Sequence, residues 1–110
     1  MRFLSRPEEL VLLAVWKLKE AAYCVPIRAY LTKVSGQNWS FGAIYDPLNR
    51  LEKKGLVDSF FSQPTAERGG RRRRMYILTA AGREELCQVK ALQEAVWSDI
   101  SGLAAEEQEA

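Results

Sequence analysis

At 110 residues the chain has the size of one domain, and its hydrophobic fraction of 47% is that of a globular protein rather than a disordered one. Histidine is absent, which removes Ser-His-Asp chemistry, histidine general bases and most zinc-site patterns; there is also no phosphate-binding loop, so neither an enzyme nor a bound cofactor or metal is expected. Net charge is only +2, but Glu106, Glu107 and Glu109 crowd the C-terminal end, and the body without them is more positive by those three charges, a local basic excess of the kind a binding patch requires.

Cys24 and Cys87 match no metal or redox spacing, and each lies among apolar residues, which predicts two buried thiols. No leader-like segment precedes the first helix and no apolar run is long enough to span a bilayer, so a cytoplasmic protein with no membrane partner is expected.

The first element opens on Ser5-Arg6-Pro7-Glu8, an S-x-x-E capping box with Glu8 and Glu9 favourably placed at a helix N-terminus. Leu10 to Lys19 follows and is apolar nearly all round, which predicts a helix buried on most of its surface, packed against the domain and against a partner chain. Ala21 to Cys24 is a short break with room for a minimal strand. Pro26 suits the first turn of a second helix, carried by Ile27, Tyr30, Leu31 and Val34 and stopped by Gly36.

Gln37 and Asn38 form a tight turn, and Ser40 is the N-cap of a third helix, with Trp39 and Ile44 in the two positions of a hydrophobic staple. Ile44, Leu48 and Leu51 form the buried face and Gly55 the stop; Tyr45, Asp46, Asn49, Arg50 and Lys53 form the outer face. Pro47 permits an alternative start, with Asp46 as cap and proline in the first helical position, but only the Ser40 start accounts for Trp39. Two helices joined by a short turn, the second with a polar outer face, make a helix-turn-helix pattern.

Leu56 to Ser62 has the β-branched and aromatic content of a strand, Gln63 to Gly70 reads as a hairpin tip, and Arg71 to Leu78 returns as the second strand. Thr79 caps a final helix in which Leu86, Val89, Gln93, Val96, Ile100 and Leu103 alternate by three and four as in a coiled-coil seam, flanked by Leu92 and Trp97. A second copy of the same helix is the economical cover, which predicts a homodimer. The expected fold is therefore mainly α with a small two-stranded β-wing: a winged helix-turn-helix DNA-binding domain over residues 1–78, and a C-terminal dimerisation helix with a frayed acidic end over residues 79–110.

Ser40 and Tyr45 offer hydroxyl donors and Gly42 lets the backbone come close, so the N-terminus of the third helix suits a DNA phosphate. Asn49 and Arg50 have the geometry for base edges, while Arg50 can equally bind phosphate or an acidic neighbour. Asp46 can accept from a cytosine amine or act as a helix-terminus carboxylate. Lys53 and Lys54 are expected to face solvent or phosphate. In the wing, Arg71, Arg72, Arg73 and Arg74 cannot all meet one groove, because strand side chains alternate, while Arg68 at the loop tip can enter a minor groove; those nearer the tip, Arg68, Arg71 and Arg72, are better placed for DNA than Arg74.

Two segments resemble the PadR family of bacterial transcriptional regulators. One is Ala43-Ile44-Tyr45 with Leu48-Asn49-Arg50-Leu51-Glu52-Lys53-Lys54-Gly55-Leu56-Val57; the other is Arg73-Arg74-Met75-Tyr76-Ile77-Leu78-Thr79-Ala80-Ala81-Gly82. In that family the first forms the recognition helix and wing entry, and the second closes the wing and starts the C-terminal helix; the single C-terminal helix is similar to the short-tailed subgroup. Many members carry proline directly after the recognition-helix tyrosine, whereas here Asp46 intervenes before Pro47. The resemblance implies a homodimeric regulator, expected to be a repressor, that binds double-stranded DNA at a near-palindromic operator with half-sites about 34–36 Å apart. It gives Arg73 a counterpart in the family's wing, hence a structural as well as an electrostatic role. It also implies a small planar or hydrophobic effector held against an aromatic of the C-terminal helix, for which Trp97 and Trp16 are the candidates; the competing reading makes both ordinary core or seam residues. A winged-helix protein–protein adaptor without sequence-specific DNA binding is the alternative function.

Overall fold

A computed structural model of the chain describes residues 3–63 and 72–103. Helix α1 (Arg6–Leu18) begins with the expected capping box: the Glu8 amide donates to Ser5 Oγ at 3.3 Å, and the Ser5 amide donates to Glu8 Oε1 at 2.8 Å. Val11, Leu12, Ala14 and Val15 are buried, while Leu13 and Trp16 stay exposed, so α1 is covered on a broad face but not all round. It ends in a short 3-10 turn (Lys19–Ala21) rather than a strand; Ala22 lies alongside the sheet through one bond, its carbonyl accepting from the Tyr76 amide at 2.9 Å.

Helix α2 (Cys24–Ser35) places Pro26 in its first turn, where its missing N–H has no helical partner to lose. It stops at Gly36, whose φ of +71° places it in the left-handed region. Ile27 and Leu31 are buried, but Val34, one turn on, is exposed, because among the described residues no element covers that end of the helix.

Helix α3 (Phe41–Lys53) starts at Ser40, whose Oγ accepts from the Ala43 amide at 3.1 Å, so Pro47 is internal. Its pyrrolidine joins Ile44, Leu48 and Leu51 on the buried face; it extends the apolar stripe at the cost of one backbone bond to Ala43. The helix closes with paired bonds from the Gly55 amide to the Glu52 carbonyl and the Leu56 amide to the Leu51 carbonyl, both 3.0 Å, a Schellman end. Replacing Ser40 with alanine should cost about 1 kcal/mol of stability, read from urea unfolding.

Strands β1 (Val57–Phe61) and β2 (Arg74–Leu78) pair antiparallel, with Val57 opposite Leu78 and Phe61 opposite Arg74. The second strand starts at Arg74 rather than Arg71, although a backbone bond from Ser62 N to Arg73 O (2.8 Å) carries the pairing one step further. The tip residues, including Arg68 and Arg71, lie outside the described residues, as does the acidic end.

Helix α4 (Ala80–Asp99) is capped by Thr79, whose Oγ accepts from the Gly82 amide at 2.9 Å. Its first turn is pressed against the end of the preceding connection: the Thr79 amide donates to the Leu56 carbonyl at 3.1 Å, and the Thr79 hydroxyl donates to the Gly55 carbonyl at 2.8 Å. The expected seam divides in two. Leu86 packs on the core and Gln93 donates to Glu9 of α1 at 2.7 Å, whereas Leu92, Val96 and Trp97 are exposed. The helix ends at Asp99, short of Ile100 and Leu103; Ser98, Asp99, Ser101 and Gly102 are weak helix formers, and Gly102 has a φ of +77°. Cys24 is buried as expected, but Cys87 is exposed, on a side of α4 that the described residues leave uncovered. Among the described residues no helix is long and apolar enough to cross a membrane.

Candidate nucleic-acid interface

With Ile44, Pro47, Leu48 and Leu51 turned inward, the helical period turns Ser40, Gly42, Tyr45, Asp46, Asn49, Arg50 and Lys53 outward, and all are exposed. This surface combines two hydroxyls, one amide and two cations with the unpaired N–H groups of a helix N-terminus. A Cβ at Gly42 would meet only Ser40 Oγ, at 4.0 Å, so the backbone there is open to close approach.

Two basic residues at the C-terminal end of α3, Arg50 and the C-cap Lys54, are tied to α1. Glu8, only 4% exposed, holds Lys54 Nζ at 2.7 Å and faces Arg50 Nε at 3.6 Å through the same oxygen, Oε2. Burial acts to raise the Glu8 pKa, but the Lys54 bond and the bonds from the Ser5 amide and hydroxyl outweigh it and hold the carboxyl down at about 2. Lys54 is therefore a structural cation, not the solvent- or phosphate-facing one expected. For Arg50, the acidic neighbour is Glu8; half of its side chain remains accessible on the outer face.

The turn before α3 is held by Arg28, which the sequence did not single out. Its Nε donates to the Trp39 carbonyl, its Nη2 donates to Asn38 Oδ1 at 3.1 Å, and its guanidinium lies 4.8 Å from the centre of the exposed Phe41 ring. Trp39 is half-buried against the core, and its indole N–H donates to Ser35 Oγ at 3.1 Å. The only signal for Arg28 is a basic residue one turn into α2; its partners, ten and more residues on, come from tertiary structure.

At the root of the wing the arginines separate by role. Arg74 Nη2 donates to Glu52 Oε1 at 2.8 Å and to Ser59 Oγ at 3.1 Å, which fastens β2 to α3. Arg73 stacks 4.7 Å from the centre of the Tyr23 ring, and its amide donates to Ser62 Oγ at 2.9 Å. Arg72 is exposed.

Trp16 lines a cleft of about 680 Å³, and Trp97, exposed in the last turn of α4, is not among its lining residues.

The geometry of α3 and the wing has counterparts in known proteins. The model of the Transcriptional regulator PadR-like family matches residues 12–88. A PadR-like transcription factor from Bacteroides fragilis is 26% identical, with a TM-score of 0.70, over 84% of each chain. A PadR family transcription regulator from Clostridium difficile is 27% identical, with a TM-score of 0.63, over 81% of this chain and 91% of that one. A PadR family transcriptional regulator from Eggerthella lenta is 26% identical, with a TM-score of 0.67, over 86% of this chain and 80% of that one. Among curated proteins there is no significant match. The family model spans the helix-turn-helix, the wing and the start of α4, and the chain is a member of the PadR-like family of transcriptional regulators.

Proposed function

We propose that the chain is a transcriptional repressor that binds a near-palindromic operator in double-stranded DNA as a homodimer and is released by a small-molecule effector. The exposed outer face of α3, carrying Tyr45, Asn49, Arg50 and Lys53 behind a capped, open N-terminus, is the observation that carries this reading. In it α3 lies in the major groove, with Ser40 and Gly42 at a phosphate and Asn49 and Arg50 at base edges. Arg68, Arg71, Arg72 and Arg73 supply salt-sensitive attraction from the wing, with Arg73 also bracing it through Tyr23. The dimer is supported by the apolar surface that α4 and its continuation leave exposed, Leu92, Val96, Trp97, Ile100 and Leu103, together with Leu13 on α1.

The test is fluorescence anisotropy of the purified chain on its own upstream DNA. Affinity should fall steeply as salt rises, and Asn49→Ala and Arg50→Ala should each weaken operator binding by about 1–3 kcal/mol, roughly 5- to 150-fold. Equal affinity for operator and random duplex at moderate salt would rule out sequence-specific recognition and leave the protein–protein adaptor.

A further inference from the structure

The first turn of α1 is a fixed post against the C-terminal half of α3. It is closed by the Ser5–Glu8 capping box, and the next residue, Glu9, accepts from Gln93 of α4 at 2.7 Å. Glu8 itself has little room to turn: it is 4% exposed, with Oε1 taken by the Ser5 amide and Oε2 by Lys54 Nζ. The Lys54 amide in turn donates to the Arg50 carbonyl at 3.0 Å, so one helical turn delivers two cations to a single carboxylate.

The two cations are held differently. Lys54 makes a charge-assisted hydrogen bond at 2.7 Å, whereas Arg50 Nε stands at 3.6 Å, attracted by charge but beyond hydrogen-bonding distance. The guanidinium is leaned on Glu8 without spending its donors there. Among the described residues Arg50 has no second ion-pair partner, and half of its side chain is accessible on the outer face.

An unrestrained arginine on a DNA-facing helix is drawn to whichever phosphate is near, because that attraction carries no sequence information. Reading guanine requires more: the planar fork must meet O6 and N7 together. A buried carboxylate beside Nε limits the rotamers from which the fork can leave the helix, which lowers the ordering cost when it docks. It also offsets part of the positive charge that a stray phosphate would attract.

We propose that Glu8 is a positioning residue for DNA reading: from α1 it restrains the Arg50 guanidinium for a base edge and withholds it from the phosphate backbone. The assignment rests on the reading of α3 as the recognition helix, and it gives a buried residue outside that helix a part in selecting the operator.

The experiment is fluorescence anisotropy of the full chain as wild type, Glu8→Gln, Arg50→Ala and the double variant, on its upstream DNA and on random duplex over a range of salt. Glu8→Gln should lower the preference for operator over random duplex at least about fivefold. Its affinity for random duplex should hold or rise, with a salt dependence steeper by about one phosphate contact. In the Arg50→Ala background Glu8→Gln should change the preference by less than about twofold, as two residues acting through one contact do. Ser5→Ala is the control: it weakens the cap but leaves the carboxylate, so the preference should hold. Should Glu8→Gln prove unfolded by circular dichroism, Glu8→Asp, one methylene shorter with its charge kept, takes its place with the same expected loss. A preference equal to wild type, or an equal loss with and without Arg50, overturns the positioning role. So does a uniform loss of affinity for both duplexes, which is what a merely structural residue would give. Absence of any preference in the wild type overturns instead the reading of α3 on which the assignment rests.

Discussion

Gly82→Ala should be severely destabilising. A Cβ at this position would lie 2.1 Å from the Leu56 carbonyl oxygen, 3.1 Å from the carbonyl carbon and 2.7 Å from Leu78 Cδ1. The side chain of Leu78 can turn aside, but the carbonyl cannot: it is fixed by the Thr79 amide at 3.1 Å, within the Schellman end that closes α3. Relief therefore means lifting the first turn of α4 off the sheet, which breaks that bond and the Thr79 hydroxyl bond to Gly55. Losses of this kind belong to the severe class, above about 4 kcal/mol, against a total of about 5–15 kcal/mol for a domain. The midpoint in a thermal melt followed by circular dichroism should fall by on the order of 15 °C or more. Gly36→Ala is the comparison: a Cβ there meets nothing within 4 Å, and only its φ of +71° is unfavourable, so about 1 kcal/mol is expected. A Gly82→Ala midpoint no lower than that of Gly36→Ala would contradict the clash.

Glu8→Gln should remove the second-largest share of stability, and the loss should depend on pH. The wild-type carboxyl titrates at about 2 instead of the ordinary 4.5, so its folded pKa is depressed. Such a group contributes stability that is whole above pH 4.5, declines as pH falls below it, and is gone once pH has passed about 2. The shift corresponds to about 3 kcal/mol. Lys54 is one-third exposed and regains part of that through water, so Glu8→Gln at neutral pH should cost about 2 kcal/mol. Urea unfolding of both proteins should give a constant gap above pH 5 that closes toward pH 2. A gap that is the same at pH 2.5 and pH 7 would show that the charge on Glu8 contributes nothing.

Features that depend on neighbours within a few residues were legible from the chain alone. Ser5 with Glu8, Ser40 and Thr79 are caps because a side chain reaches an amide three residues on, and Gly36 and Gly55 are stops because they alone tolerate the left-handed region. The outer face of α3 followed from the spacing of Ile44, Leu48 and Leu51, which holds even with Pro47 inside the helix. Long-range partners were not legible. Glu8 reads as a capping residue, and nothing local tells that its other oxygen takes Lys54, 46 residues away. The exposure of Val34 and Cys87 depends on which elements cover them. The end of α4 at Asp99 reflects weak helix formers with no packing to sustain them. The arginine run could be divided between DNA and structure in principle, but the pairing of Arg74 with Glu52 needed the strand register.

The bonds that root α4 also give it mechanical leverage. Twenty residues of helix extend about 30 Å from the anchor formed by Thr79, Gly82 and the Leu56 carbonyl. A tilt of about 10° at that root would carry the far end sideways by about 5 Å. In the proposed dimer, where the far ends of two such helices meet, the same tilt would swing each α3 relative to its half-site. The spacing between recognition helices is then set by the rigidity of a single turn, and a ligand or substitution that loosens it by a few degrees would detune the pair without touching either DNA-facing surface.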